Sequence, residues 1–264
     1  MSLAQLWAQI EQNEWIDIPT GWLQGRTVYG GLAAGMMMHK AVATIQDVQK
    51  HLLSCYITFV GPVQTGKARL TVEILRQGKS VTTLEVRLWQ DDAVQSILVA
   101  SFGNHRSSTI AFDNQPDAPQ YPQVNELVEL PFAQMMPECY QHFELKWAEG
   151  KYPIASSVTP DFGGWSRIRP LEQEQRALNL ADFVTLMDIW PPGVLSMFKQ
   201  PAPASSLTWH ISYIHPLAHQ IDDWFKYRVV TDYAANGYAA EYAYVWDEKD
   251  QLIAILRQTV TVFA

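Results

Sequence analysis

The stretch LADFVTLMDIWPPG, from Leu180 to Gly193, has the pattern of a buried helix. It is apolar at nearly every position from Phe183 to Trp190, so no face of the helix suits water, and Pro191 ends it. Asp188 breaks the pattern, because an unpaired carboxylate is costly to bury. The stretch therefore predicts a helix enclosed by other structure, carrying a carboxylate that either faces solvent or takes part in chemistry.

The same order of helix and strands occurs twice in the chain. A second apolar helix is predicted from Gly31 to Ile45, and each helix precedes four runs rich in β-branched residues. The runs are LLSCYITFV, KARLTVEILRQ, SVTTLEVRLWQ and AVQSILVASFGNH in the first half, and SLTWHISYIHP, WFKYRVVTDY, YAAEYAYVWDE and QLIAILRQTVTVFA in the second. Pro62 and Pro216 end matching runs 154 residues apart, and Trp89 and Trp246 are 157 apart. Such a long repeat indicates duplication of a whole domain.

Each unit is therefore predicted to be α+β, with four mainly antiparallel strands whose apolar face covers one helix. This is the hotdog arrangement, and two units in tandem predict a double hotdog with the seam between units inside one chain. We assign residues 1–110 to the N-terminal hotdog and 140–264 to the C-terminal hotdog. Residues 111–139, rich in proline and polar side chains, are predicted to be a linker along the surface.

The composition argues against several classes of protein. A formal net charge of −8 without any basic run argues against nucleic-acid and acidic-membrane partners. Cys55 and Cys139 cannot form a disulfide framework and fit a reducing cytoplasm. The longest apolar run, Gly30–Met38, is much shorter than the roughly 20 residues that cross a bilayer, and the amino terminus lacks a signal-peptide pattern. We expect a cytoplasmic protein without a membrane segment.

Signatures of other enzyme classes fail. The chain contains no G-x-S-x-G motif, and YGGLAAG lacks the glycine spacing of a dinucleotide-binding loop. His210, His215 and His219 cluster in sequence, but a strand directs the first two to opposite faces. No metal site is predicted.

The two copies differ in two polar residues. Asp188 falls opposite Ala34, 154 residues earlier, and Gln258 falls opposite Ser101, 157 residues earlier. A structural role would tend to be kept in both copies, so polar groups in only one copy indicate chemistry. Each residue also has a simpler interpretation: Asp188 could lie at an exposed helix end, and Gln258 could tie neighbouring strands together.

Gly30 and Gly31 stand at the start of the first predicted helix. They could permit a tight turn. Alternatively, their backbone N–H groups could stabilise an oxyanion, because the amino end of a helix has unpaired donors.

Five segments resemble motifs of the TesB-type acyl-CoA thioesterases, a double-hotdog family, over about residues 25 to 264. GRTVYGGLAAG resembles the family's R-x-V-F-G-G start of the first helix, and LRQGKS its R-x-G-R/K-S turn. DIWPPG resembles the Asp segment of the second helix. SSLTWHISYIHP and DQLIAILRQ resemble its S/T-L-D-H-x-x-x-F-H-R-P and G-x-L-(V/L)-A-x-x-x-Q strands. All five keep the family's order.

The resemblance implies a catalytic set and a reaction. The family uses an Asp on the second helix, a Ser or Thr on the next strand and a Gln on the last strand, which here are Asp188, Ser206 and Gln258. It implies hydrolysis of fatty acyl-CoA thioesters by a water that this set activates. No metal or other cofactor is expected, because coenzyme A enters only as part of the substrate.

Two positions depart from the family's motifs. Thr208 stands where the L-D-H segment has its acid, and Tyr56 falls near the histidine of the family's H-S-Y-F-L-R-P segment. We expect both to contact substrate, together with Gly30 and Gly31, and the acyl chain to lie between the two helices.

Two other functions stay open. A non-catalytic acyl-CoA or lipid-binding hotdog protein would keep the pocket without the chemistry. A hotdog enoyl-CoA hydratase would typically use a histidine, and no histidine here matches. The expected partner is a small-molecule acyl-CoA, and the sequence leaves open whether the chain forms a homo-oligomer.

Overall fold

The computed structural model describes residues 1–132, 136–171 and 174–263. Within these ranges the helices are α1 (Leu3–Gln12), α2 (Gly30–Thr44) and α3 (Leu180–Met187). The strands of the first half are β1 (Trp15–Ile18), β2 (Leu23–Gln24), β3 (Thr27–Val28), β4 (Lys50–Phe59), β5 (Gly66–Gln77), β6 (Val81–Gln90) and β7 (Ala93–Asn104). Those of the second half are β8 (Phe143–Glu149), β9 (Phe162–Ile168), β10 (Ala204–Tyr213), β11 (Phe225–Ala235), β12 (Tyr238–Asp247) and β13 (Leu252–Val262).

Eleven strands form one antiparallel sheet in the order β1-β5-β6-β7-β4-β10-β13-β12-β11-β9-β8. The halves join where β4 pairs with β10, with Trp209 directly opposite Ile57. On either side of this seam the strand order of one half mirrors that of the other. The structure thus confirms the predicted double hotdog, with eight strands close to the runs identified in the sequence.

The two central helices cross antiparallel and very closely. A methyl group on Gly31 would lie 2.7 Å from the carbonyl oxygen of Thr185, and one on Gly35 would overlap the Thr185 hydroxyl and lie 2.9 Å from the carbonyl oxygen of Ala181. Because the backbones touch, no acyl chain fits between the helices along this turn. The expectation that the chain lies there is wrong for this part of the interface.

These helix contacts correct the equivalence between the copies. Gly31 faces Thr185, and Gly35 faces Ala181. The pseudo-symmetry that relates the two units therefore makes Gly31 equivalent to Ala181 and Gly35 equivalent to Thr185. The helices are therefore offset by 150 residues. The counterpart of Asp188 is Met38, one helical turn beyond the Ala34 expected from the sequence.

The strands keep the same irregularities in both copies. Register shifts occur at Leu52/Ser54 and Ser206/Thr208, at Ile74/Arg76 and Thr231/Tyr233, and at Leu88/Trp89 and Val245/Trp246. Gln258 lies opposite Glu241, and in the first copy Ala100 lies opposite Leu84. The counterpart of Gln258 is thus Ala100 on the inner face, not Ser101.

The segment after β7 lies on the outer face of the second half. The carbonyl oxygens of Pro116, Pro119 and Pro122 accept hydrogen bonds from Trp246 Nε1 (3.3 Å), Lys226 Nζ (3.2 Å) and Trp165 Nε1 (3.1 Å). The boundaries 1–110, 111–139 and 140–264 stay a prediction, and residues 133–135, 172–173 and 264 of these ranges lie outside the described residues.

None of the helices in the described ranges has the length and apolarity needed to cross a bilayer.

Candidate functional site

Asp188 lies where the end of α3 meets the start of α2. Asn179 and Asp182 form a capping box that begins α3, and the helix stops at Met187, before the prolines. Because the helices run antiparallel, this end faces the amino terminus of α2: a methyl group on Gly30 would lie 2.9 Å from Oδ2 of Asp188. The backbone N–H of Gly31 lowers the pKa of this carboxyl. The carboxylate therefore points inward, beside the positive end of a helix dipole.

The surroundings of Asp188 make it a base suited to neutral pH. Burial raises the pKa of its carboxyl to about 7, and the backbone N–H of Gly31 opposes that rise. Burial also raises the pKa of the Tyr29, Tyr140 and Tyr227 hydroxyls, with a further contribution from the Asp188 charge, so these groups stay protonated. No lysine, arginine or histidine of the described chain forms an ion pair with Asp188. A general base works best with a pKa near the working pH.

Ser206 and Gln258 are in direct contact. Nε2 of Gln258 on β13 donates a hydrogen bond to Oγ of Ser206 on β10. Gln258 lies opposite Trp209, which is 2% exposed, so this amide faces the interior. The register shift leaves Leu207 unpaired and brings Ser206 opposite the buried Val260 on the same inner face.

Glu241 belongs to the same group, although the sequence analysis missed it. It lies on β12 directly opposite Gln258, is 2% exposed, and its Oε2 accepts the backbone N–H of Gly193 at 2.9 Å. Burial raises the pKa of Glu241 to about 7; the Gly193 hydrogen bond lowers it and the Asp188 charge raises it further. The signal was present in the sequence, since Glu241 is an acid at an inward strand position where the first copy has Leu84.

The electrostatic coupling links the helix to the strands. The Asp188 charge acts on Glu241, and both carboxylates raise the pKa of Tyr227. Glu241 in turn neighbours the amide of Gln258, which bonds to Ser206. Three strands thus bring together a carboxyl, an amide and a hydroxyl, and the charge of Asp188 at the end of α3 acts on the carboxyl of this group.

The first half of the chain contributes the start of α2 and an aromatic ring. Phe59 at the end of β4 has a ring carbon 3.3 Å from the position of a methyl group on Gly30. The N–H groups of Leu32 and Ala33 bond to the carbonyl of Tyr29, whereas those of Gly30 and Gly31 have no hydrogen-bond acceptor among the described residues. The start of α2 therefore lies at the seam, with the backbone donors of Gly30 and Gly31 next to Asp188.

Tyr56 and Thr208 lie on the other face of the sheet. Tyr56 is 44% exposed and opposite His210, and Thr208 pairs with Thr58. The unpaired residue at Leu207 explains the separation, because it leaves Ser206 facing inward and Thr208 facing outward. The structure does not bring these two residues together with Asp188, and their role in substrate binding stays a prediction without a supporting contact.

Within the described ranges, no group of three His, Cys, Asp or Glu side chains is arranged to hold a metal ion. The chemistry of the group is that of acids and hydrogen bonds. Its carboxyls can exchange protons near neutral pH, and the amide, the hydroxyl and a free N–H can orient a small polar molecule.

Both halves of the chain match families of known proteins. Residues 18–103 match the N-terminal domain of acyl-CoA thioesterases, and residues 113–262 match their C-terminal domain. No curated protein matches the chain.

Solved structures share the fold at low sequence identity. A hotdog-fold protein of unknown function from Alicyclobacillus acidocaldarius superposes with a TM-score of 0.86 at 17% identity, covering 100% of this chain and 99% of that one. The acyl-CoA thioesterase II TesB2 of Mycobacterium marinum gives 0.75 at 16% identity, covering 98% of each chain. The TesB protein of Mycobacterium avium subspecies paratuberculosis gives 0.78 at 15% identity, covering 100% of each chain. At such identities these neighbours establish the hotdog fold alone.

Proposed function

This chain belongs to the acyl-CoA thioesterase family, and from that premise we propose that it hydrolyses fatty acyl-CoA thioesters to a free acid and coenzyme A. One observation carries the proposal: the Asp188 carboxyl, with its pKa raised to about 7, lies inward at the open amino end of α2. A carboxyl held for structure alone would be expected to have a cation or a full set of donors. Among the described residues Asp188 has no cation partner, and the backbone N–H of Gly31 is the one group that lowers its pKa.

In the proposed reaction a water molecule is the nucleophile. Asp188 accepts a proton from the water as the water oxygen attacks the thioester carbonyl carbon. The resulting tetrahedral intermediate collapses, the C–S bond breaks, and the departing thiolate takes up the proton that Asp188 accepted. Atoms and charge balance, and the carboxylate is restored.

The other groups would hold the reactants in place. Gln258, fixed by its hydrogen bond to Ser206, would orient the water toward the carbonyl carbon. The free N–H of Gly30, at the positive end of the α2 dipole, would stabilise the oxyanion. The N–H of Gly31, which lowers the pKa of Asp188, would be a second donor at this helix start.

The test is release of free thiol from a panel of acyl-CoA substrates of increasing chain length. We expect turnover that depends on chain length and is unchanged after dialysis against a chelator, since the proposed chemistry uses no metal. Binding of acyl-CoA without thiol release would instead identify a lipid-binding protein. Hydration of enoyl-CoA without thiol release would identify a hydratase.

A further inference from the structure

Asp188 lies at a helix end, whereas its counterpart in the first copy lies inside a helix. The helix α3 ends at Met187, but α2 continues from Met38, the counterpart of Asp188, to Thr44. Met38 is therefore followed by further hydrogen-bonded helix, and Asp188 is not. The position of Asp188 must depend on how the segment that follows it is attached to the rest of the protein.

This segment, residues 189–193, is attached to the sheet through its last residue. Its two prolines lack an N–H, so the first backbone donor after Trp190 is that of Gly193. Gly193 is buried, and its N–H bonds to Oε2 of Glu241 on β12 at 2.9 Å. Leaving a buried backbone N–H without an acceptor is costly, so this bond tethers the segment to β12.

The segment also approaches the sheet very closely at Gly193. A methyl group on Gly193 would lie 2.7 Å from Oγ1 of Thr231 and 2.8 Å from the carbonyl oxygen of Pro160, so the close approach depends on glycine. Glu241 itself is 2% exposed, and no lysine, arginine or histidine in the described part of the chain forms an ion pair with it. The hydrogen bond with Gly193 therefore competes with no cation.

The equivalent strand position of the first copy is apolar. Leu84 lies opposite Ala100 on β7, as Glu241 lies opposite Gln258 on β13. Leu84 is fully buried in the core, so the backbone accepts leucine at this position. The carboxyl is thus found in the copy whose helix ends early, on the strand next to the one that carries the amide of the proposed site.

We propose that Glu241 is a positioning residue. Its carboxyl oxygen holds Gly193, and through the short segment before Gly193 it keeps Asp188 in a fixed position relative to Gln258. The proposal rests on the proposed function of Asp188. Glu241 does not touch the substrate, and what the reaction requires of it is an acceptor oxygen for the Gly193 N–H rather than a second negative charge.

The first experiment compares the wild type with Glu241→Gln and Glu241→Leu. We expect Glu241→Gln to keep kcat within about threefold, because its amide oxygen can accept the same N–H. Glu241→Leu has the residue of the first copy and no acceptor. It should lose about tenfold or more in kcat, since misplacing a catalytic group by about 1 Å can cost on the order of a hundredfold. KM should change less than about threefold in both variants.

Two results would overturn the proposal. One is a wild-type kcat in Glu241→Leu. The other is an equal loss in Glu241→Gln and Glu241→Leu, which would mean that the charge matters and the acceptor does not. If Glu241→Leu does not fold, Glu241→Met takes its place with the same expected loss, because methionine is unbranched and flexible like glutamine but has no oxygen to accept the N–H.

The matched control removes a carboxyl on another strand of the same half. Glu149 on β8 pairs with Arg228 at 3.1 Å and accepts a hydrogen bond from the Tyr121 hydroxyl. Glu149→Gln and Glu149→Leu should both keep the wild-type kcat and KM. A loss of kcat in Glu149→Leu as large as that in Glu241→Leu would assign the effect to the loss of any carboxyl from this half and would overturn the role of the tether.

A second measurement does not depend on turnover. Exchange of the Gly193 amide hydrogen with solvent, followed by NMR, reports whether its hydrogen bond is intact. We expect exchange to be about tenfold faster or more in Glu241→Leu and close to the wild-type rate in Glu241→Gln. Unchanged exchange in Glu241→Leu would overturn the tether even if the enzyme is active. If the wild type hydrolyses no acyl-CoA, the proposed function fails, while faster exchange in Glu241→Leu would still establish the tether.

Discussion

The inner faces of the two hotdogs have equivalent backbone arrangements and differ in their side chains. In the second copy Thr231, Glu241 and Gln258 form a row across three strands; in the first copy the row is Ile74, Leu84 and Ala100. The register shifts occur at equivalent places in both, so the difference lies in the side chains. Because both units contribute to one core, duplication allowed one copy to keep the packing while the other gave up apolar contacts for polar groups.

The amino ends of the two central helices show the same division. The start of α3 is closed by the Asn179–Asp182 capping box, and Asp182 also binds Arg176 and Nε1 of Trp7. The start of α2 has no side-chain cap at Tyr29. An uncapped helix start leaves N–H donors for a ligand or for Asp188. The backbone N–H donors are thus without a side-chain cap at the start of α2, where Asp188 lies. They are capped at the start of α3, at the opposite end of the helix pair.

The largest effect is expected from Asp188→Asn. The amide cannot accept the proton of the water, and general-base contributions are worth about 10²–10⁴-fold, so kcat should fall at least a hundredfold. Acyl-CoA should still bind, measured by calorimetry. The control is Met38→Leu at the equivalent helix position, which should change kcat little. Equal losses at both positions would indicate damage to packing.

Gly30→Ala should come next. Its methyl group would lie 2.9 Å from Asp188 Oδ2 and 3.3 Å from the Phe59 ring, so the carboxylate must move away from the start of α2. Misplacing a catalytic group by about 1 Å can cost on the order of a hundredfold, and we expect a loss of about tenfold or more in kcat. Leu180→Ala, at the equivalent start of α3, is the control. Wild-type turnover in Gly30→Ala would separate this helix end from the reaction.

The sequence predicted the parts of the fold that repeat. Alternating β-branched runs identified eight strands, and the uniformly apolar helices identified the two central elements. The helix α1 and the strand β8 were missed, since they have no counterpart in the repeat. The strand β9 was also missed, although it pairs with β11 as β1 pairs with β5.

The candidate site was predicted less completely. The proposed trio contains the Ser206–Gln258 contact and an inward Asp188. The equivalence with Ala34 failed because α2 has 15 residues and α3 only 8, so strand spacing does not transfer to the helices. The alternation of apolar and polar residues along the strand also could not show that Leu207 is unpaired. This unpaired residue turns Thr208 to the outer face.

A smaller effect is expected from the contact between Ser206 and Gln258. If Ser206 acts by holding the amide, Ser206→Ala and Gln258→Ala should each reduce kcat, and the double variant should lose little more than Gln258→Ala alone. The inner counterparts, Leu52 and Ala100, show that the backbone accepts apolar residues at both positions. Additive losses in the double-mutant cycle would mean that the two side chains act separately.

The last prediction concerns the free energy of unfolding. It tests whether the buried carboxyl of Glu241 makes the second copy less stable than an uncharged side chain would. Burial raises the pKa of Glu241 from 4.5 to about 7, so the folded protein keeps a proton that the unfolded chain releases. The stabilising contribution is complete below the unfolded pKa and is lost as pH rises through the folded pKa. Glu241→Gln has no such loss, so relative to wild type it should gain about 3 kcal/mol in the free energy of unfolding between about pH 4.5 and 8. Urea unfolding at both pH values measures the change, with Glu149→Gln as the control that should show no gain. A gain that is the same at both pH values would mean that glutamine simply packs better and that Glu241 is not titrating in this window.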